Sequence, residues 1–356
     1  MPSVANVHGT DLSKYKVVAR KQFAFNPMHV GRDEVLPISM LEEKESVIVS
    51  PAYVVFEIKD ENELLPEYLM MWCRRPEFDR NAWFTTDSSV RGGFSWNDFC
   101  EMEIPVPSPE KQREIVKEYH TIVGRIRLNE QLNQKLEETA QAIYKQWFVD
   151  FEFPISAEYV AAIGKPELEG KPYKSSGGEM VYNDELDQEI PQGWSAGLLE
   201  KMIKFKNGKS RPLDEGNFPI YGGNGILGFA NKSNNDNVVA IGRVGAYCGS
   251  LYRVPGKCWI SDNAICAKSL NQQNMFCFHT LKSLNLNERS EGTGQPLLTQ
   301  NLLNSIVTIF PVEDIVEEFE KVSTALFQHL YLKEGEQNIL NTLNGILLSK
   351  MTRMAA

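Results

Sequence analysis

The stretch that most constrains this chain runs from Pro107 to Phe148. Stepping alternately four and three residues from Ile115 gives Ile115, Tyr119, Ile122, Ile126, Asn129, Asn133, Leu136, Ala140, Ile143 and Trp147, a sustained heptad seam with two asparagines at its middle. A shift of 200 positions gives a second seam: Ile315, Phe319, Val322, Leu326, His329, Lys333, Glu336, Leu340, Leu343 and Leu347. Both are apolar at the ends and polar at the centre, which predicts two long helices that pair inside one chain. Such a helix is about 50–60 Å long at 1.5 Å per residue, so the pair is expected to act as a spacer. The alternative, two amphipathic helices each lying on its own domain, asks for a wider apolar stripe. Asn129 and Asn133 near His329 and Lys333 are expected to lower stability while defining register. Gln112, Arg113, Glu118, Arg125 and Gln134 lie off the seam, either as partner contacts or as a solvated face.

The rest of the chain divides around these helices. Residues 1–106 carry short β-type runs (YKVV, FAFNP, SVIVSPAYVVFEI), one helical stretch over 62–80 and a short apolar strand ending at Pro107. Residues 107–153 form the first long helix, and 154–190, rich in Gly, Pro, Ser and acidic residues, reads as a flexible linker. Residues 191–311 return to the first pattern, with strands expected at 201–205, 238–241, 250–254 and 258–260 and a helix near 276–286. Residues 312–356 form the second long helix. The order mixed unit, helix, mixed unit, helix is an internal repeat, in which Trp96, Phe99 and Pro107 align with Gln300, Leu303 and Pro311. The fold class is therefore α+β: two mixed α/β domains and two long helices paired as an antiparallel coiled coil about a pseudo-twofold axis. By the same repeat, the first domain begins where the second has already reached about Gly216, and is expected to be shortened at its N-terminus.

At 356 residues and 42% apolar content, the chain can build two cores. No run approaches the roughly 20 apolar residues of a membrane span, and Met1–Arg20 lacks the order of a signal peptide, so a cytoplasmic protein is expected. Cys73, Cys100, Cys248, Cys258, Cys266 and Cys277 show no CxxC pair and read as small buried hydrophobes. The net charge of -10 disfavours nucleic acid until it is divided by segment. Residues 196–310 hold twelve Lys and Arg against seven Asp and Glu, one basic segment in an acidic protein.

Catalytic motifs fail on inspection. Gly208, Lys209 and Ser210 spell the end of a P-loop, but Ile203 stands where its first glycine belongs. Pro166, Glu167, Glu169 and Lys171 resemble a nuclease cluster placed in the expected linker. Asn26 and Pro27 lack a methyl-donor loop, and Gly242, Gly245 and Gly249 have the wrong spacing for a dinucleotide fingerprint. The five histidines are scattered, and no metal site is indicated.

Lys and Arg suit phosphates, while Arg and Asn also pair with base edges. On that chemistry Lys206, Lys209, Arg211, Asn224, Arg243, Tyr247 and Arg253 are the DNA-binding candidates of the second domain, many on Gly-rich loops (YGGNG, GRVGAYCG). Arg20, Arg32, Tyr53 and Arg91 are their counterparts in the acidic first domain. A hydrophilic loop surface that is merely basic is the competing reading.

The runs PSPEKQREIV, ETAQAIYKQWFVDFEFP, GKPYKSSGGEMV, IPQGW and GRVGAYCG with WISDNAI occur in an order that closely resembles the specificity subunit of type I restriction-modification systems, over nearly the whole chain. The resemblance implies two target recognition domains, each reading half of a split site on double-stranded DNA. It implies helices that fix their separation and dock two modification (methyltransferase) subunits, with restriction subunits beyond. It also implies a non-catalytic chain with no cofactor of its own, S-adenosylmethionine, ATP and magnesium being brought by the partners. The competing classes are a coiled-coil scaffold for proteins and, more distantly, a solitary nuclease or methyltransferase.

Overall fold

The computed structural model describes residues 11–28, 34–86, 93–292 and 295–351. The chain divides into two compact units, Met1–Gln131 with Lys333–Ala356, and Leu132–Leu332.

In the first unit, β1 (Lys16–Val18) pairs with β4 (Val47–Val49), and β2 (Phe23–Phe25) lies between β3 (Ile38–Met40) and β5 (Val54–Phe56), all antiparallel. Phe23 and Phe25 are fully buried, and Phe23 stacks on Phe56 at 4.8 Å, so the FAF run is the centre of this core. The helix expected over 62–80 is two, α1 (Pro66–Cys73) and α2 (Pro76–Phe84). Pro76 offers no N–H to continue α1 and pushes Arg75 into extended backbone, while each proline is favourable as the first residue of its own helix. A capping box between Ser95 and Asp98 starts α3 (Trp96–Cys100), and Pro109 opens α4 (Pro109–Phe148).

Gln112, expected on a solvent or partner face of α4, is instead fully buried. Its amide nitrogen donates to the carbonyls of Glu63 and Pro107 at 2.8 Å each, and its amide oxygen accepts from the Leu65 N–H at 2.8 Å. It bolts the start of the long helix to the loop before α1. Gln112→Ala leaves those backbone groups unpaired in the interior, and is expected to lower the stability of this unit by about 1–3 kcal/mol in urea denaturation.

The second unit adds α5 (Ala157–Ile163), a hairpin of β6 (Met180–Asn183) and β7 (Gln188–Pro191), then β8 (Ser195–Leu198), β9 (Ile203–Asn207), β10 (Phe218–Gly222), β11 (Gly225–Ala230), β12 (Asn235–Gly242), β13 (Leu251–Ile260), β14 (Ala264–Ser269), α6 (Asn274–Ser283), α7 (Gln300–Asn304), β15 (Val307–Phe310) and α8 (Glu313–Lys350). Six strands form one sheet in the order β11-β10-β13-β12-β14-β9, and β8 pairs with β15. The stretches expected as separate strands at 250–254 and 258–260 are one strand, β13. The sheet carries an apolar cluster on each face. Val239, Ile241, Ile265 and Ala267 meet α6 and the long helices in the main core, while Val238, Ala240, Val254, Ile260 and Cys266 form a second cluster.

Residues 154–190 are not a flexible linker. Ile155, Val160, Tyr173 and Ile190 are buried in the main core, with Phe153 stacked between Tyr173 (4.6 Å) and Trp194 (5.2 Å). Gly178 is required there, because a Cβ would fall 2.4 Å from the Tyr173 ring. Among the cysteines, Cys100 departs from expectation: it is exposed, and the other five are buried.

The long helices pair antiparallel, as seen separately in each unit. In the first, Ile115 and Tyr119 of α4 share a core with Leu347, Leu348 and Met351 of α8, and Arg125 reaches Glu336 at 2.6 Å. In the second, Tyr144, Trp147 and Phe148 of α4 pack on Phe319 of α8 with ring centroids 5.2–6.0 Å apart. All ten seam positions expected on α4 are buried or half-buried. On α8 the phase needs correction, since His329 and Leu343 are exposed. The helix starts and the α3/α7 pair repeat at 204 positions, not 200. At 204 the seam falls on Phe319, Ser323, Leu326, Leu330, Lys333, Gln337, Leu340, Asn344, Leu347 and Met351, every one buried or half-buried. Of the expected pairing residues, Ile315, Val322, Leu326, Leu340 and Leu347 still lie on or beside the inner face. At the polar centre, Asn129 is 2% exposed, and its side-chain nitrogen has no hydrogen-bond partner among the described residues.

Candidate nucleic-acid interface

Five loops of the second unit meet around β10, β12 and β14. Gly242 ends β12 where a Cβ would lie 2.0 Å from the Tyr247 carbonyl oxygen, so the chain can fold straight back. The Gly242 and Gly249 amides, donating to Ser250 (2.8 Å) and Gly242 (2.9 Å), close the loop that carries Arg243 and Tyr247. Arg243 then knits this loop to two others: its amide donates to the Asn263 carbonyl at 3.0 Å, and its own carbonyl accepts from the Leu298 amide at 2.9 Å. Gly223, in the two-residue turn between β10 and β11, approaches both Asn263 and Tyr247, which brings Asn224 to the same place. Lys209 joins from the fifth loop, its amide donating to the Ile260 carbonyl and its carbonyl accepting from the Trp259 indole at 3.2 Å.

The structure thus assembles Lys209, Asn224, Arg243 and Tyr247 on one rim, with Arg211 exposed two residues beyond Lys209. Tyr247 is 54% exposed. Arg243 is half-buried, and its Nε has no hydrogen-bond partner among the described residues. Backbone bonds hold the frame, while the cationic, amide and aromatic ends remain available to a ligand, a chemistry suited to phosphates and base edges.

Two candidates lie elsewhere. Lys206 projects from the opposite side of β9 to the buried Phe205, into a cleft it shares with Lys204, Lys257 and Lys268. The register of β9 on β14 sets Lys204 opposite Lys268, a pairing that strand periodicity predicts only once both strands are known to be neighbours. Arg253 is a correction to the candidate set: its guanidinium sits over the Phe327 ring of α8 at 5.0 Å, so it ties the sheet to the helix. In the first unit, Arg20 is exposed in a turn and Tyr53 is half-buried, its carbonyl accepting from Lys16 at 2.6 Å; Arg32 and Arg91 lie outside the described residues.

The titratable groups near the sheet are structural in character. Burial pushes the Cys258 and Cys277 thiols up to about 12 and Cys266 up to about 11, far from a reactive thiolate. Glu320 of α8 accepts from the Met275 and Phe276 amides at 2.9–3.0 Å, capping α6 in place of a side chain at its own N-terminus. Burial raises its pKa, and those hydrogen bonds oppose the rise.

Comparison with known proteins agrees with this architecture. Residues 38–138 match the family model described as type I restriction modification DNA specificity domain. The MjaIX specificity subunit of Methanocaldococcus jannaschii is 26% identical over 284 residues, covering 70% of this chain and 60% of that protein. The HindI specificity subunit of Haemophilus influenzae is 26% identical over 170 residues, covering 47% of this chain and 36% of that protein. The chain therefore spans less than two thirds of the first relative and about one third of the second. A crystal structure of the S subunit of a type I restriction-modification system from M. genitalium superposes with a TM-score of 0.62 at 15% identity, covering 98% of this chain and 86% of that one, and shows the shared fold. The matching domain, the relatives and the shared fold together make this chain similar to the specificity subunits of type I restriction-modification systems.

Proposed function

We propose that this chain is the non-catalytic DNA-recognition subunit of a type I restriction-modification complex in the cytoplasm. The rim of Lys209, Asn224, Arg243 and Tyr247 carries the proposal, because it concentrates phosphate and base-edge chemistry on a rigid frame. In this reading the two mixed domains recognise the two parts of a bipartite site. Paired modification subunits and the restriction subunits supply methylation and cleavage, together with S-adenosylmethionine, ATP and magnesium. The exposed apolar residues Ile339, Leu343 and Ile346, on one face of α8 in the first unit, support docking of a modification subunit on the helices.

Duplex affinity of the assembled complex is expected to fall steeply between low and moderate salt. Lys209→Ala should reduce the slope of log K against log salt by about 1 at all sequences, whereas Arg243→Ala should cost about 1–3 kcal/mol at the preferred site. Unchanged binding in both variants would remove this rim as the interface. Affinity that stays flat with salt would favour the protein scaffold instead.

A further inference from the structure

Lys135, Lys145 and Lys321 of the second unit each pair with a carboxylate, whereas Lys204, Lys206, Lys257 and Lys268, which line the cleft beside β9, form no ion pair among the described residues. Strand pairing makes this arrangement costly. The register of β9 on β14 holds Lys204 directly opposite Lys268, and like charges so placed repel across a sheet. Lys206 stands on the same face two residues farther along β9, about 7 Å away by the rise of a strand. Lys257 enters from β13, and all four lysines are exposed.

The cleft between them has a volume of about 460 Å³ and a fixed wall. Cys266, 2% exposed and opposite Lys206 in the register, lies at its base. Its thiol donates to the Asn235 Oδ1 at 3.2 Å, and the Asn235 Nδ2 donates to the Asn234 Oδ1 at 2.8 Å. Asn234 is held in turn by the backbone of Ile260, accepting from its amide at 2.9 Å and donating to its carbonyl at 3.0 Å. Both asparagine amides are thus engaged in the frame. Four ammonium groups against the single carboxylate of Asp236 are left to face the space, and no aromatic or aliphatic residue is among those that line it. Such a cleft recognises charge and offers a base or ring nothing to stack on.

We propose that this cleft is an anion site for adjacent phosphate groups, those of a free polyphosphate or of a nucleic-acid backbone. The excess of positive charge favours a ligand with more than one negative group, spread over the distance from the Lys204–Lys268 pair to Lys206. Lysine meets phosphate as a point charge on a flexible stem, so exposed ammonium groups can close on such a ligand from two strands. Bound phosphates also relieve the repulsion across the sheet, which links ligand binding to stability. The proposal does not rest on the rim of Lys209, Asn224, Arg243 and Tyr247.

Calorimetric titration of the full chain with inorganic tripolyphosphate at low salt tests it. One-to-one binding with Kd on the order of 100 μM is expected, weakened by about tenfold or more when Lys204→Ala and Lys268→Ala are combined. That double variant loses a repelling pair, so its melting temperature without ligand should be no lower than the parent's. Tripolyphosphate should raise the melting temperature of the parent and leave that of the double variant in place. Lys209→Ala, on the rim, should leave the affinity for tripolyphosphate unchanged. A duplex oligonucleotide then separates the two sources. Displacement of tripolyphosphate by the duplex assigns the cleft to backbone phosphates; simultaneous binding, or no duplex binding at all, assigns it to a free polyphosphate. The proposal is overturned if tripolyphosphate binding does not saturate, or if the double variant binds as tightly as the parent. It is also overturned if sodium sulfate binds equally well, or if Lys209→Ala costs as much as the cleft pair, since any basic surface then suffices.

Discussion

Phe319→Ala is expected to lower the unfolding free energy of the second unit by about 3–5 kcal/mol, the cost of deleting a large ring from a packed interior. Phe319 is fully buried, and its ring meets Tyr144, Trp147 and Phe148 of α4 and His279 of α6 at 5.2–6.0 Å. It belongs at once to the helix seam and to the core under the sheet, so few alternative contacts can close the cavity. Leu343→Ala is the matched control. A seam counted at 200 positions makes both residues inner, whereas the structure leaves Leu343 45% exposed with Asn344 turned inward. Leu343→Ala should therefore stay within about 0.5 kcal/mol. Urea denaturation followed by circular dichroism separates the outcomes; a large loss at Leu343 would restore the phase counted from the sequence.

That phase error shows which part of the fold was legible and which was not. A heptad seam survives a shift of one turn with little loss of pattern, so apolar spacing alone could not choose between 200 and 204. The short elements could, because α3 and α7 carry punctuation that a long helix lacks: a cap, a short helix and a proline. The strands of the first unit were visible as β-branched and aromatic runs, whereas β10 and β11 were hidden by the glycines of FPIYGGNGILGFA. Those glycines mark a two-residue hairpin turn at Gly223 and Asn224, a readable signal that composition alone presents only as a loop able to follow a groove. Residues 154–190 misled by composition, because a few aromatic anchors (Phe153, Tyr173, Trp194) hold a segment that is otherwise polar. For the site, residue chemistry singles out Lys209, Asn224, Arg243 and Tyr247, and the fold gathers them. Arg253 and Gln112 could not be placed from sequence, since a long polar side chain reads the same whether it covers a ring, bonds buried carbonyls or faces water.

His279 sets the second large effect, a loss of stability as pH falls. Its ring is 2% exposed, stacked on Tyr144 and edge-on to Phe319 and Phe327; Nε2 lies 3.4 Å from the Ser323 hydroxyl, and Nδ1 has no hydrogen-bond partner among the described residues. Burial, reinforced by the charges of Lys282 and Arg253, pulls its pKa down from 6.5 to about 3. Between those two values the unfolded chain binds a proton that the native chain refuses, so stability is full above about 6.5 and falls with pH through this window. The slope approaches about 1.4 kcal/mol per pH unit, or roughly 2 kcal/mol between pH 7 and pH 5. Glu320 acts in the opposite direction, because burial makes its native carboxyl take up a proton more readily. Comparison with a variant that keeps Glu320 cancels that contribution. His279→Gln should remove most of the loss between pH 7 and pH 5 in urea denaturation, whatever its stability at neutral pH. An unchanged slope would mean that the imidazole accepts its proton in the folded chain, and that the aromatic cage around it opens to water.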